Sequence, residues 1–279
     1  MIMLDCEDLD SGLRSLAVAA GIDEPALRHV LHSDVADEVR PGEDPWNAIP
    51  RVVFAKPGVD INDVCFEGAY YFHCTRVLRP QAFLRDGIHP LGAMLARLWD
   101  DLYGLCDEQV TPAQWHALRR DLEDSTPTPL HEEQGARLYR LKFDKPGLHG
   151  PYASLVRDHV VAPISGHHDY LKCPEIIEDL AGCLGLGLQA RFEAQAASCI
   201  VKFRHHEVTR HTVEAALLYV LTRVQSKPLG ESSVYGLDCK SVAVPASDVV
   251  YVDEIDIAGR RGPAPVRLHR HRPPRPLAT

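Results

Sequence analysis

The short signatures that announce common enzyme classes are missing from this chain. It has no Walker-type glycine loop with its lysine, no GxSxG elbow and no HExxH helix, so most familiar chemistries lose their sequence support. Its eight cysteines, at 6, 65, 74, 106, 173, 183, 199 and 239, never stand in a CxxC spacing. Several sit in apolar runs such as Ser198-Cys199-Ile200-Val201, where a thiol behaves as a small hydrophobe, and a chain of this length needs no disulfide staples. A reducing, cytoplasmic location is expected. No apolar run approaches ~18 residues, and Met1 to Asp10 carries four acids with no basic n-region. Neither a membrane span nor a secretory leader is expected, and no membrane partner. There is also no long block of one charge outside the C-terminal tail. The formal charge of −9 argues against a protein built around phosphate-backbone contact, while leaving nucleic acid open as a substrate.

What is present is ordinary globular material. The 279 residues are 45% hydrophobic and 25% charged, enough for a sizeable core. The pattern points to one α+β core over 61–259, preceded by a helical and irregular extension at 1–60 and followed by a basic, proline-rich tail at 260–279. Leu13, Leu16, Val18, Leu27, Val30 and Leu31 predict one or two short amphipathic helices, and the prolines at 41, 45, 50 and 57 predict irregular chain across 41–60. The tail, Arg260-Arg261-Gly262-Pro263 through Arg275, is expected to be disordered. It is read either as a solvated arm or as an electrostatic contact for an acidic or nucleic-acid partner.

Within the core, the aromatic run from Cys65 to Arg76 predicts a buried strand, and Pro80 to Gly87 a two-turn helix with proline at its start and glycine past its end. Residues 91–105 keep a 3.6-residue apolar period. Thr111-Pro112-Ala113-Gln114 predicts a capped helix carrying Trp115, Leu118 and Leu122. Leu138 to Phe143 reads as a strand, Pro174 opens a helix, Ser198 to Phe203 reads as a strand, and Thr212 caps an apolar helix reaching Val224. Ser241 to Val244 and Val249 to Ile257 read as two closing strands.

Histidine is abundant, at 15 residues, with doublets at His167-His168 and His205-His206 and a further His211. A metal needs three or four ligands converging on one point, and neighbours on a strand face opposite ways, so solvated loop histidines are the expectation and no metal site is assigned.

The richest stretch is Tyr70-Tyr71-Phe72-His73-Cys74-Thr75-Arg76, then the short helix and Gly87-Ile88. This resembles the first motif of the ADP-ribosyltransferase superfamily. Gly150-Pro151-Tyr152-Ala153-Ser154 is similar to its second motif, Ser198 to Phe203 to its middle strand, and Val242-Ala243-Val244-Pro245 with Val249-Val250-Tyr251-Val252 to its closing pair. The order agrees over roughly residues 65–257. The resemblance implies a split mixed sheet with flanking helices and NAD as substrate, held by His73, Thr75, Arg76, Tyr152 and Ser154. The implied reaction cleaves NAD and passes ADP-ribose to an acceptor, protein, nucleic acid or small molecule. The family's catalytic glutamate has no direct counterpart: alignment to the proline puts Lys240 there, so Asp238 or Glu231 is the implied acid. Two other outcomes remain open, an RNA 2′-phosphotransferase-like enzyme, and a non-catalytic binding protein on a decayed form of the same fold.

Overall fold

The computed structural model describes residues 2–124, 129–161, 168–230, 234–257 and 266–274. Among them are eleven α-helices and seven strands, a mixed helix-and-sheet protein. The strands are β1 (Met3–Leu4), β2 (Gly68–Val77), β3 (Tyr152–Ser154), β4 (Ala197–His205), β5 (Gly236–Asp238), β6 (Val249–Asp256) and β7 (Val266–His271), hydrogen-bonded in the order β5-β3-β2-β4-β6-β7 with β1 parallel to β2. The chain divides into two compact units. The first comprises Met1–Phe72, Ala153–Gly166 and Lys202–Leu237, and the second His73–Tyr152, His167–Val201 and Asp238–Thr279.

The core of the first unit is α11 (Arg210–Val224). Thr209 and Thr212 form a reciprocal capping box at its start, so the cap lies three residues before the expected Thr212. Every residue from Thr212 to Leu221 is buried, which requires neighbours on all sides. They are α1 (Leu9–Ala20), α2 (Glu24–His32) and α3 (Pro45–Ala55). Glycine is required at position 12, because a Cβ there would stand 2.8 Å from Val220 Cγ2. Lys202, buried on β4, donates to Asp5 Oδ2 and Glu7 Oε2, both at 2.7 Å, and lies 4.4 Å from the Tyr70 ring centroid. The N-terminal segment is thereby tied into this unit, and residues 1–72 belong together with no division near 60.

Proline content hid α3 from the sequence reading. Pro45 occupies the first turn, where its missing N–H costs nothing, and Ala48, Pro50, Val53 and Phe54 are buried, so most of 45–55 is helix and not irregular chain.

The second unit carries a helical layer of α5 (Leu91–Cys106), α6 (Pro112–Glu123), α7 (Gln134–Asp144), α9 (Glu175–Leu184) and α10 (Leu188–Gln195). Trp99 Nε1 donates to the Tyr139 hydroxyl at 2.9 Å, Tyr139 donates to Glu123 Oε1 at 2.8 Å, and Trp115 Nε1 donates to the Trp99 carbonyl at 3.0 Å. The expected capping box at Thr111 and Gln114 is present. The segment 138–143 is helix α7 and not a strand. Ala136 and Tyr139 share its buried face at helical spacing, and Gly135 lets α7 approach Asp179 of α9 closely, a Cβ there meeting the Asp179 carbonyl at 2.2 Å.

Two further expectations fail in this unit. Residues 241–244 are not a strand: Lys240 and Ser241 take left-handed φ of 51° and 63°, and only Val244 pairs, with Ile88. The tail from 260 is not uniformly disordered either, since β7 pairs antiparallel with β6. Arg270 grips fully buried Asp253 through Nε to Oδ1 at 2.6 Å and Nη2 to Oδ2 at 2.7 Å, its guanidinium lying 3.6 Å from the Tyr251 centroid, and His271 Nε2 donates to Glu254 Oε1 at 2.6 Å. Partners on β6 give these basic side chains a place in the sheet. Residues 258–265 and 275–279 of the tail lie outside the described residues.

Candidate functional site

In the second unit three neighbouring strands each contribute one implied site residue: Asp238 from β5, Tyr152 from β3 and His73 from β2. The aromatic, β-prone composition of 68–77 fixes β2 as a long strand, buried over its first half and half-buried from His73 on, and the alternation along it puts His73 and Thr75 on one face and Arg76 on the other.

The Nδ1 of His73 lies 2.8 Å from the Tyr152 carbonyl oxygen. A carbonyl only accepts, so Nδ1 carries the proton, and in the neutral ring Nε2 is left as an acceptor. Burial pushes the His73 pKa below its ordinary value and outweighs the opposing hydrogen bond, so the neutral form is the resting one. Phe83 of α4 (Ala82–Asp86) stands edge-on to the imidazole at 6.2 Å between centroids. That short helix ends at Gly87, whose φ of +80° and 2.1 Å Cβ clearance to the Val244 carbonyl admit only glycine, and Ile88 and Val244 then exchange backbone hydrogen bonds of 2.9 Å.

Tyr152 is 46% exposed, and its hydroxyl donates to the Gly147 carbonyl at 3.3 Å. Burial of part of the ring raises its phenol pKa, with the charges of Asp238 and Glu175 adding to the shift. Both carboxylates therefore act on this ring. Asp238 is exposed, and its Oδ1 accepts from the Lys240 N–H at 2.8 Å, a bond that holds the left-handed turn after β5. Lys240 is exposed too. The Cys239 N–H donates to the Pro151 carbonyl at 3.0 Å and Ser241 Oγ to the Pro146 carbonyl at 2.5 Å, so one backbone and one side-chain link hold this turn on the segment leading into Tyr152.

The remaining implied residues fall elsewhere. Arg76 sits where α10 ends, donating to the carbonyls of Ala196 at 3.1 Å, Lys172 at 3.4 Å and Glu193, and to Ser198 Oγ at 3.3 Å. It works there as a helix C-cap, not as a side chain aimed with His73. Ser154 belongs to the first unit, and its Oγ closes a local turn by donating to the Val156 carbonyl at 3.1 Å. Thr75 is half-buried. Glu231 lies outside the described residues, as does His167.

Two residues that the sequence reading did not single out lie within electrostatic reach of Tyr152. Tyr170, 38% exposed, donates to Glu175 Oε1 at 3.1 Å, and Glu175 lies 3.4 Å from Lys142, which also bonds Asp179 at 2.6 Å. Glu175 follows Pro174 at a helix start, where an acid is ordinary dipole complementation, so nothing in the sequence sets it apart. Among the described residues no group of three or more His, Cys, Asp or Glu side chains is gathered as metal ligands. No described helix is long and apolar enough to cross a membrane.

No family model, curated protein or solved structure matches the chain.

Proposed function

We propose that this protein is an ADP-ribosyltransferase-like enzyme that cleaves NAD and transfers ADP-ribose to a nucleophilic acceptor. The observation that carries the reading is the succession Asp238, Tyr152, His73 on adjacent strands β5, β3 and β2, one acid, one half-exposed ring and one imidazole with its tautomer fixed. In such a reaction the bond between ribose C1′ and the nicotinamide nitrogen breaks, its electron pair leaving with neutral nicotinamide. The acceptor then bonds C1′ and gives up its proton. Tyr152 supplies a ring for the nicotinamide, His73 and Thr75 hydrogen-bonding groups for a ribose, and Asp238 a negative charge for the oxocarbenium-like transition state.

The RNA 2′-phosphotransferase alternative calls for several arginines near the motif and a basic cleft, and Arg76 is spent on carbonyls and the Ser198 hydroxyl. A binding protein without turnover is the second reading. It is favoured by one observation, the commitment of Asp238 Oδ1 to its own turn.

Titration calorimetry with NAD, together with mass spectrometry of nicotinamide release and ADP-ribose adducts, tests both. His73→Ala and Tyr152→Ala are expected to raise the NAD Kd about tenfold, ~1.4 kcal/mol each. Asp238→Ala is expected to leave binding nearly intact and abolish transfer. Binding with no nicotinamide release by the wild type selects the second reading, and no binding at millimolar NAD removes both.

A further inference from the structure

Residues 204–211, Arg-His-His-Glu-Val-Thr-Arg-His, belong to the first unit and take no part in the chemistry above. Five of these eight side chains are cationic or become so on protonation. They run from the end of β4 to the first turn of α11. Nδ1 of His205 accepts from the Glu207 N–H at 3.1 Å, which leaves its Nε2 as a donor. His206 is exposed, its Nδ1 donating to the Glu67 carbonyl at 3.4 Å. Arg210 is held by two bonds, Nε to Glu214 Oε1 at 2.8 Å and Nη1 to Asn62 Oδ1 at 3.1 Å, with about half of its side chain in solvent.

Beside this basic segment stands a series of rings. His211, 57% exposed along its side chain, lies 5.4 Å from Tyr235 and 5.7 Å from Trp46, centroid to centroid. Tyr235 continues to Tyr71 at 6.5 Å, and His205 stands edge-on to Tyr71 at 6.1 Å. The nearest carboxylate to His211 is Glu214 at 3.6 Å, already matched by Arg210. Partly exposed rings beside an arginine and protonatable imidazoles are the two components of a surface for unpaired bases and their phosphates: the π-faces take bases without regard to sequence, and the basic groups track the backbone. A duplex keeps its bases stacked on one another and cannot use the rings.

We propose that this rim of the first unit is a contact surface for single-stranded nucleic acid, with bases against Trp46, His211 and Tyr235 and phosphates met by His206 and Arg210. The surface and the NAD reading rest on different residues, and either stands without the other.

Fluorescence anisotropy of the full chain with short fluorescein-labelled uridine and thymidine oligonucleotides tests it, with the matched duplex and ATP as competitors. At low salt both oligonucleotides are expected to bind, the duplex and ATP to compete poorly, and added salt to weaken binding steeply. His211→Ala and Trp46→Ala are expected to raise Kd about tenfold, His211→Phe to retain most of the affinity, and Arg210→Gln to lower the salt slope by about one. Arg28→Ala, a partly exposed arginine of α2 paired with Asp10, serves as the neutral control. His211 is exposed, so His211→Ala decides alone if Trp46→Ala unfolds. No oligonucleotide binding at low salt, ATP binding as tightly as the oligonucleotide, or His211→Ala indistinguishable from the control would each overturn the proposal.

Discussion

The two units bury their helices differently. In the first, α11 is dry around its whole circumference from Thr212 to Leu221, and α1, α2 and α3 each press one face against it. In the second, no such central helix exists among the described residues. There α5 buries Leu95, Trp99, Leu102, Leu105 and Cys106 on one side while Ala93, Ala96 and Asp100 face water. An amphipathic helix tolerates change over half its surface, whereas a central one tolerates it nowhere. The difference also decides where loosely held, chemically useful groups can sit: among the described residues the first unit offers them at the exposed start of α11, as at Arg210 and His211, the second on its strands, as at Tyr152 and Asp238.

The sharpest way to break this comparison is a matched pair of substitutions. Ala216→Lys puts a charge into a fully buried position of α11, and a cost above about 4 kcal/mol is expected, enough to leave much of the protein unfolded. Ala96→Lys on the wet side of α5 is expected to stay within about 0.5 kcal/mol of wild type. Urea denaturation followed by circular dichroism reads both, and equal midpoints for the two variants would show that α11 is not enclosed.

The next largest effect concerns charge. The second unit holds β7 to β6 by ionic contact, and Asp253 is fully buried beneath Arg270. Removing the cation by Arg270→Ala takes the guanidinium away from a buried carboxylate, at an expected cost of about 3–5 kcal/mol. Truncation before Val266 is expected to destabilise comparably. A melting temperature unchanged by either variant would return this segment to the solvated arm that its composition suggests.

Legibility in the sequence follows the range of the interactions. Helices with local signals were readable: the Thr111 box, the 3.6-residue stripe of 91–105, Pro174 before α9. The strand character of 68–77 and 197–205 was readable from aromatic and β-branched runs. Three elements were not. In α7 the run Leu138 to Phe143 alternates as a strand would, and only contact with α9 through Gly135 makes it helical. In α3 the prolines speak against a helix whose first turn can hold one. In β7 the decisive partners, Asp253 and Glu254, lie 17 residues away from the basic side chains they fix. The candidate site divides the same way. His73, Tyr152 and Asp238 are motif positions, but the diversion of Arg76 to α10 and the proximity of Glu175 to Tyr152 depend on pairings no local window contains.

The smallest expected effect separates a merely partly covered imidazole from a desolvated one, and so sharpens the contrast between His73 of the second unit and the exposed His211 of the first. Burial holds the folded pKa of His73 below the ordinary 6.5. Between that lowered value and 6.5 the unfolded chain binds a proton that the folded chain refuses, so the unfolded state carries the larger proton count and stability rises with pH. Above 6.5 the contribution is complete, and it is lost as pH falls through the window. Urea midpoints of wild type and His73→Gln at pH 7.5, 6.5 and 5.5 isolate the effect, because every other histidine is common to both proteins. The wild type is expected to lose more stability than the variant on acidification. A difference between the two that does not change with pH would mean that water reaches both nitrogens of His73, and the fixed tautomer on which the NAD reading draws would go with it.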